Sequence, residues 1–222
     1  MSQETWASVD RYLTEKIVKP DAVLDAALRE SAKAGLPPIS VSPPQGKLLQ
    51  VLAMMQGSKR ILEIGTLGGY STIWLARGLS RGGRVITLEL ERSHAEIARK
   101  NLARAKLDKL VDIRVGMAIE TLPKLLAEGE GPFDLVFLDA DKPSNADYFA
   151  WALKLSRKGT LIVVDNVIRD GMVVDARSKD PNITGVRKLN EAIAREKRVV
   201  ATTIQTVGGK GYDGFTVALV VD

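Results

Sequence analysis

Two apolar runs in the sequence each end on acidic or amide side chains. The run 135–138 is followed by Asp139, and the run 161–164 is followed by Asp165 and Asn166. If these runs are neighbouring parallel strands, their carboxyl ends meet at one edge of a sheet. Two carboxylates and an amide oxygen, without sulfur or imidazole, suit Mg²⁺, Mn²⁺ or Ca²⁺. The sequence therefore predicts a site for a hard divalent cation with Asp139, Asp165 and Asn166 as its ligands.

Lys142 lies three residues after Asp139 and is the candidate base of this site. A nearby cation disfavours the ammonium form of a lysine, which would let the amine accept a proton from a bound hydroxyl. Asp141 acts in the opposite direction, because a carboxylate favours the charged lysine. An Asp after a strand is most often a turn former, but the combination of these residues favours chemistry. Three protein oxygens would leave about three positions of an octahedron for two adjacent hydroxyls and a water.

Composition limits the kind of protein that could carry such a site. The 222 residues are 45% hydrophobic and 27% charged, so we expect one domain with a full core. The sequence has no long apolar run and no N-terminal basic region followed by an apolar stretch, which predicts a soluble, cytoplasmic protein. It has no cysteine, which excludes thiolate metal sites and a cysteine nucleophile. The net charge of +5 and the isoelectric point near 9.4 permit a polyanionic partner, although no dense basic block is present.

Hydrophobic periodicity predicts helices in residues 1–57 and alternating strands and helices in residues 58–222. Such alternation is typical of a doubly wound, Rossmann-like α/β sheet. The last two strand-like runs are joined by a glycine-rich stretch without room for a helix. This predicts a C-terminal hairpin and one antiparallel strand in a seven-stranded, mostly parallel sheet. The expected helices cover 6–18, 21–34, 43–56, 71–79, 93–105, 118–127 and 148–155; the expected strands cover 61–64, 85–88, 111–115, 135–138, 161–164, 199–207 and 215–221.

A glycine-rich loop follows the first expected strand, with Gly65, Gly68 and Gly69. Glycine lets the backbone turn tightly and approach a ligand closely. The spacing differs from G-x-G-x-x-G, which argues against a pyrophosphate at the helix N-terminus. Glu89 ends the second strand, where a carboxylate can accept hydrogen bonds from both ribose hydroxyls. Together these residues predict a nucleoside site without phosphates, although an ordinary strand-to-helix turn shares the loop pattern.

Three segments carry a family resemblance: 62–71, 139–142 and 165–166. In order and spacing they resemble the cation-dependent class I O-methyltransferases that use S-adenosylmethionine (SAM), which include the catechol and caffeoyl-CoA O-methyltransferases. The resemblance covers essentially the whole chain, is closest to the small bacterial members, and implies SAM and a divalent cation, in the first place Mg²⁺, as cofactors. It also implies a set of SAM contacts. Gly65, Thr66 and Ser71 would line the methionine part, with Val41 and Glu63 nearby, Glu89 would hold the ribose, Ala118 would border the adenine, and Asp139 and Asp141 would be further cofactor contacts.

Four functional hypotheses remain open at this point. The first is a metal- and SAM-dependent O-methyltransferase that acts on vicinal hydroxyls of a small aromatic such as a catechol, caffeoyl derivative or flavonoid. The second keeps the chemistry but uses a hydroxylated uridine in tRNA as acceptor, which the basic isoelectric point permits. A nicotinamide-dependent dehydrogenase is disfavoured by the missing G-x-G-x-x-G, and a non-catalytic SAM-binding protein would require scattered oxygen ligands. We also expect a homodimer without membrane contact, in which the N-terminal helices form a subunit contact or a lid.

A few remaining residues have more than one reading. His94, the only histidine, lies in a Ser93-His94-Ala95-Glu96 pattern that predicts a capping box, so we expect it to take no part in chemistry. The segment after Asn166 starts at the predicted cation site, which makes Arg169, Asp170 and 172–174 candidate substrate-loop residues. Packing within a flexible loop is an equal alternative for them. Tyr212, between glycines, could face a substrate or a partner subunit.

Overall fold

The computed structural model describes residues 2–222, and a seven-stranded sheet forms its centre. The strands are β1 (Arg60–Ile64), β2 (Arg84–Glu89), β3 (Val111–Val115), β4 (Phe133–Leu138), β5 (Ser156–Asp165), β6 (Val199–Gly208) and β7 (Gly211–Val220). They follow the order β3-β2-β1-β4-β5-β7-β6 across the sheet. Strands β1 to β5 are parallel, whereas β7 is antiparallel to both β5 and β6. The predicted fold class is confirmed.

Helices cover both faces of the parallel strands. They are α1 (Gln3–Leu13), α2 (Ala22–Lys33), α3 (Pro43–Met55), α4 (Tyr70–Arg77), α5 (Arg92–Arg104), α6 (Ala118–Ala127), α7 (Asn145–Lys154) and α8 (Pro181–Arg195). Residue types explain the starts of two of them. The Asp21 carboxylate accepts hydrogen bonds from the backbone amides of Val23 and Leu24, at 2.9 and 3.0 Å, and Ser42 caps α3, whose first turn tolerates proline.

The core lies on both sides of the sheet, as the continuous apolar character of the central strands predicts. Successive side chains of a strand point to opposite faces, and β4 shows this directly. Val136 and Leu138 pack into one buried cluster with Phe149. Leu135 and Phe137 pack into the other. Both faces are therefore covered, and β4 is apolar from Leu135 to Leu138 before it leaves the sheet at Asp139.

Three local expectations differ from the structure. No helix is expected after Asn166, yet α8 forms there, with Asp180 accepting a hydrogen bond from the Asn182 amide at 2.7 Å. The hairpin turn is shorter than expected, because β6 and β7 continue until only Gly209 and Lys210 separate them. The capping box at 93–96 is wrong: α5 begins one residue earlier, and no side chain caps it.

The N-terminal region also departs from a regular helix. The expected helix at 6–18 is a shorter α1 that continues as a wider turn over Thr14–Val18. Lys19 then adopts a positive φ of 69°, which turns the chain into α2. Within residues 2–222, no helix is long and apolar enough to cross a membrane.

Candidate active site

Asp139 and Asp165 lie side by side because β4 and β5 are parallel neighbours. Leu138 is paired with Val164 in this ladder, and each strand reaches its aspartate at the next residue. Aligned residues of adjacent strands point to the same side, so the two carboxylates leave the sheet together. Burial, and next the charge of Asp139, raise the pKa of Asp165 to about 7. The two strand ends thus bring like charges together at a nearly closed position, since Asp165 is only 5% exposed.

Asn166 makes the turn that ends β5. Its φ is 58°, in the left-handed region that asparagine tolerates better than most residues, and its backbone amide donates to Asp165 Oδ1 at 2.8 Å. Asn166 lines the same cavity as Asp139. The structure therefore brings the three predicted cation ligands to one place. Within residues 2–222, no group of three His, Cys, Asp or Glu side chains could hold a metal ion, so a cation here would depend on the amide of Asn166.

Lys142 is buried beside this pair, with 6% of its surface exposed. Its Nζ donates to Asp139 Oδ1 at 3.0 Å. The backbone of Lys142 begins a short helical turn, Lys142–Ser144, against which α8 packs through Gly185. A lysine held at a carboxylate in a closed position differs from the solvated loop lysine that is the common case.

Asp141 faces the cavity next to Lys142 and binds Tyr148, whose hydroxyl donates to Asp141 Oδ1 at 2.6 Å. Burial alone would raise the pKa of Asp141, but hydrogen bonds from Ser144 and Tyr148 bring that pKa below its usual value. Burial, followed by the bond to Asp141, raises the pKa of Tyr148. Asp141 is therefore held as an anion in the cavity wall.

The glycine loop after β1 passes very close to the end of β4. Gly65 has a φ of 102°, and a Cβ there would lie 2.8 Å from the carbonyl carbon of Asp139. Any side chain would therefore push the loop away from the strand end. Thr66 follows, 1% exposed, with its Oγ1 2.6 Å from that of Thr87. Gly65, Thr66 and Ser71 all line the cavity.

Glu63 lies beneath this loop and is fully buried. Its carboxylate accepts hydrogen bonds from Ser71 at 2.6 Å, from Thr87 at 2.7 Å and from Thr72. Burial raises the pKa of Glu63 to about 7, while the three hydroxyls act to lower it. Glu63 is absent from the cavity wall and reaches it through Ser71, so its direct contact with a cofactor stays a prediction.

Glu89 ends β2 at the opposite side of the loop. Its two oxygens accept hydrogen bonds from the backbone amides of Leu67 at 2.7 Å and Glu91 at 2.9 Å. These bonds fix the carboxylate and leave lone pairs for a ligand, because an ionised carboxylate has about four acceptor positions. His94 Nδ1 is 3.5 Å from Glu89 Oε1. His94 therefore lines the cavity, whereas the sequence predicted only a role at the start of a helix.

One cavity of about 690 Å³ joins these groups, a volume suited to a small-molecule ligand. Most of the predicted site residues line it: Val41, Gly65, Thr66, Ser71, Glu89, Ala118, Asp139, Asp141, Lys142 and Asn166. Met117, Tyr148 and Asn182 also line it and were not among the predicted site residues. Met117 follows the end of β3, so the rule that used strand ends could have found it. Tyr148 and Asn182 come from helices and had no such signal.

A model of the O-methyltransferase family matches residues 14–219. The chain belongs to this O-methyltransferase family. It is 52% identical over 220 residues to a catechol O-methyltransferase of Niastella koreensis, covering 99% of this chain and 100% of the relative. It is 51% identical to a catechol O-methyltransferase of Mycobacterium tuberculosis, covering 96% and 94% of the two chains.

Solved structures agree with this membership. An O-methyltransferase from Bacillus cereus in complex with SAH has a TM-score of 0.98 and 54% identity, covering 99% of this chain and all of the other. TomG from Streptomyces achromogenes, in complex with SAM and involved in tomaymycin synthesis, has a TM-score of 0.97 and 52% identity over the whole of both chains. The protein is thus a SAM-dependent O-methyltransferase, which removes the dehydrogenase and the non-catalytic hypotheses.

Proposed function

We propose that this O-methyltransferase methylates one of two vicinal hydroxyls on a small aromatic acceptor and requires a divalent cation. The observation that carries the proposal is the pair of Asp139 and Asp165 at neighbouring strand ends, with Asn166 and Lys142 beside them. The names of the two catechol O-methyltransferase relatives support the acceptor class.

The donor set fits a hard cation. The carboxylates of Asp139 and Asp165 repel each other, and the pKa of Asp165 is raised to about 7. A cation between them would neutralise their charges. The oxygens of Asp139, Asp165 and Asn166 would hold Mg²⁺, Mn²⁺ or Ca²⁺. When bound, the cation would stabilise the anionic oxygen of the acceptor.

The remaining cavity residues would bind and orient SAM, which supplies the methyl group. We propose that Gly65, Thr66 and Ser71 contact its methionine part and that the prearranged Glu89 carboxylate accepts hydrogen bonds from the ribose. Val41 and Ala118 would contribute apolar wall, and Asp141 a fixed negative charge. These residues would align the methyl group with the acceptor hydroxyl and hold the two close together, which is the main contribution of a protein to a direct methyl transfer.

Lys142 is the proposed base. Its Nζ lies within one hydrogen bond of Asp139, so an acceptor hydroxyl bound at the carboxylate pair would come within reach of the amine. A general base must first lie within about 3 Å of the oxygen whose proton it takes. We propose that Nζ takes the proton of the attacking hydroxyl.

Metal removal is the decisive test. With labelled SAM and catechol, turnover should fall about 100-fold or more in EDTA and return when Mg²⁺ is added, because an oxyanion stabiliser contributes on that order. Asp165→Asn should abolish the Mg²⁺ response, whereas Asp147→Asn, at an exposed position of α7, should keep it. Transfer to catechol that survives complete metal removal would refute the proposal, and label found solely in bulk tRNA would favour the nucleic-acid acceptor.

The role of Lys142 is tested in the same assay. Lys142→Met should bind SAM within about threefold of the wild type by calorimetry while losing about 100-fold or more in kcat, as expected for a base. Lys158→Met, at an exposed position of β5, is the matched control. Unchanged kcat in Lys142→Met would show that another group takes the proton.

A further inference from the structure

The backbone after Asn166 is held in an unfavourable conformation. Arg169 and Asp170 have φ values of 54° and 55°, and Gly171 follows at 81°. Left-handed conformations cost non-glycine residues about 1 kcal/mol or more each and persist where the surroundings impose them. Such residues cluster at functional sites, so the side chains that this loop orients are of interest.

The start of β7 imposes the conformation. Asp213 Oδ1 accepts hydrogen bonds from the amides of Ile168 at 2.9 Å, Arg169 at 3.0 Å and its own neighbour Gly214 at 2.9 Å. The Asp170 amide donates to the Tyr212 carbonyl at 3.1 Å. The hairpin therefore fixes the main chain on both sides of the Arg169 Cα atom.

Arg169 lines the catalytic cavity, and its side chain is partly exposed. Two other basic side chains line that cavity, and each has a close acidic neighbour: Lys142 at Asp139 and His94 at Glu89. For Arg169, the structure of residues 2–222 shows one ion pair, in which Nη1 is 4.0 Å from Asp213 Oδ2, and no side-chain hydrogen bond. A guanidinium offers five N–H donors in a planar fork that matches a carboxylate. Most of this hydrogen-bonding capacity is unused.

We propose that Arg169 binds a carboxylate of the acceptor, so that the preferred substrate is a vicinal-dihydroxy aromatic acid. This inference rests on the proposed function of the site. Arg169 follows Asn166 by three residues, which spans at most about 10 Å of chain, the scale of one aromatic ring with a short acid group. Because Asp139, Asn166 and Arg169 line one cavity, an acceptor whose hydroxyls reach Asp139 and Asn166 can extend its acid group toward the guanidinium.

The test uses acceptors that differ in one charge: 3,4-dihydroxybenzoate and its methyl ester. The wild type should show a kcat/KM about tenfold or more higher for the acid. Arg169→Met should lower kcat/KM for the acid about 10- to 100-fold, mainly through KM, and leave the ester within about twofold, the range expected for a charge-assisted hydrogen bond. The kcat/KM of Arg169→Lys for the acid should lie between those of the wild type and Arg169→Met, because lysine keeps the charge and loses the planar fork of donors. Arg177→Met, at an exposed arginine of the same segment, is the matched control.

Equal kcat/KM for acid and ester in the wild type, or equal losses for both in Arg169→Met, would overturn the role of Arg169. Failure of the proposed function looks different, because neither compound nor catechol would then be methylated. In that case, calorimetry with S-adenosylhomocysteine present still decides the inference. Tighter binding of the acid than of the ester, lost in Arg169→Met, supports it, and equal binding refutes it.

Discussion

At the scale of a single residue, burial of the Glu63 carboxyl group makes its ionisation unusually costly in free energy. Its carboxyl group is fully buried beneath the glycine loop, where burial raises its pKa from 4.5 to about 7 despite three hydroxyl donors. The folded chain therefore keeps the Glu63 proton at pH values where the unfolded chain has released it. The contribution of this group to the free energy of unfolding is full below about pH 4.5 and is lost as the pH rises to about 7.

Replacing Glu63 by glutamine should remove this pH dependence, because an amide keeps the shape and cannot ionise. Between pH 5 and 7.5, the fall in the free energy of unfolding should be smaller in Glu63→Gln than in the wild type by about 2 kcal/mol. Urea unfolding at several pH values, without cofactor, measures the difference. The raised pKa of Asp165 contributes equally to the pH dependence of both proteins, so its effect cancels in the comparison. Glu120→Gln, at an exposed position, is the control, and parallel curves for Glu63→Gln and wild type would contradict the account.

At the scale of elements, α8 sets the position of the proposed base. It meets the short turn that begins at Lys142 through Gly185, where a Cβ would lie 2.6 Å from the Lys142 carbonyl carbon and 2.8 Å from Pro143 Cα. These distances are shorter than real Cβ contacts, and both neighbours are backbone. The helix can therefore approach the turn this closely because residue 185 has no side chain.

Gly185→Ala should consequently lower activity even though alanine favours helices by about 1 kcal/mol. Moving the Lys142 backbone by a fraction of an ångström to an ångström should reduce kcat about 10- to 100-fold, because catalytic alignment is that sensitive. SAM affinity by calorimetry should stay within about threefold. Lys188→Ala, at an exposed position of the same helix, should behave as wild type. A Gly185→Ala enzyme with full kcat would show that the turn tolerates the shift.

The elements also show what local patterns can predict. The paired aspartates were predictable, because apolar runs that end on acids report both a buried strand and its carboxyl end. The approach of Gly185 to Lys142 was not, since it depends on how α8 packs against a turn far away in sequence. Helix α8 itself has an Asp180-Pro181 start and buried Ile183, Val186 and Leu189, so its periodicity was present in the sequence. It was missed because the sequence interpretation after Asn166 considered only the loop candidates Arg169, Asp170 and 172–174 and assigned no element to 181–195.

At the scale of the molecule, the C-terminal hairpin contacts both helix α1 and a segment of the cavity wall. The backbone amide of Gly209, at the tip of the hairpin, donates to Asp10 of α1 at 2.8 Å. The next residue, Lys210, donates through Nζ to the carbonyls of Ile39, at 3.1 Å, and Ser40. Ile39 and Ser40 line the cavity together with Val41. The C-terminal hairpin therefore holds the N-terminal segment that forms one wall of the proposed SAM site.

Lys210 should thus influence SAM binding without touching the methyl group. Lys210→Met removes both hydrogen bonds to the carbonyls of residues 39–40. We expect this variant to bind SAM about three- to tenfold more weakly than the wild type, because charged hydrogen bonds at exposed positions contribute modestly. Its kcat at saturating SAM should stay within about twofold of the wild type. Lys210→Arg keeps a donor at the same place and should recover most of the affinity. Calorimetry with SAM measures both variants, and Lys197→Met serves as an exposed control. If Lys210→Met binds SAM as the wild type does, the segment is held by its own apolar contacts, since Val41 is only 5% exposed, and the hairpin merely rests on it.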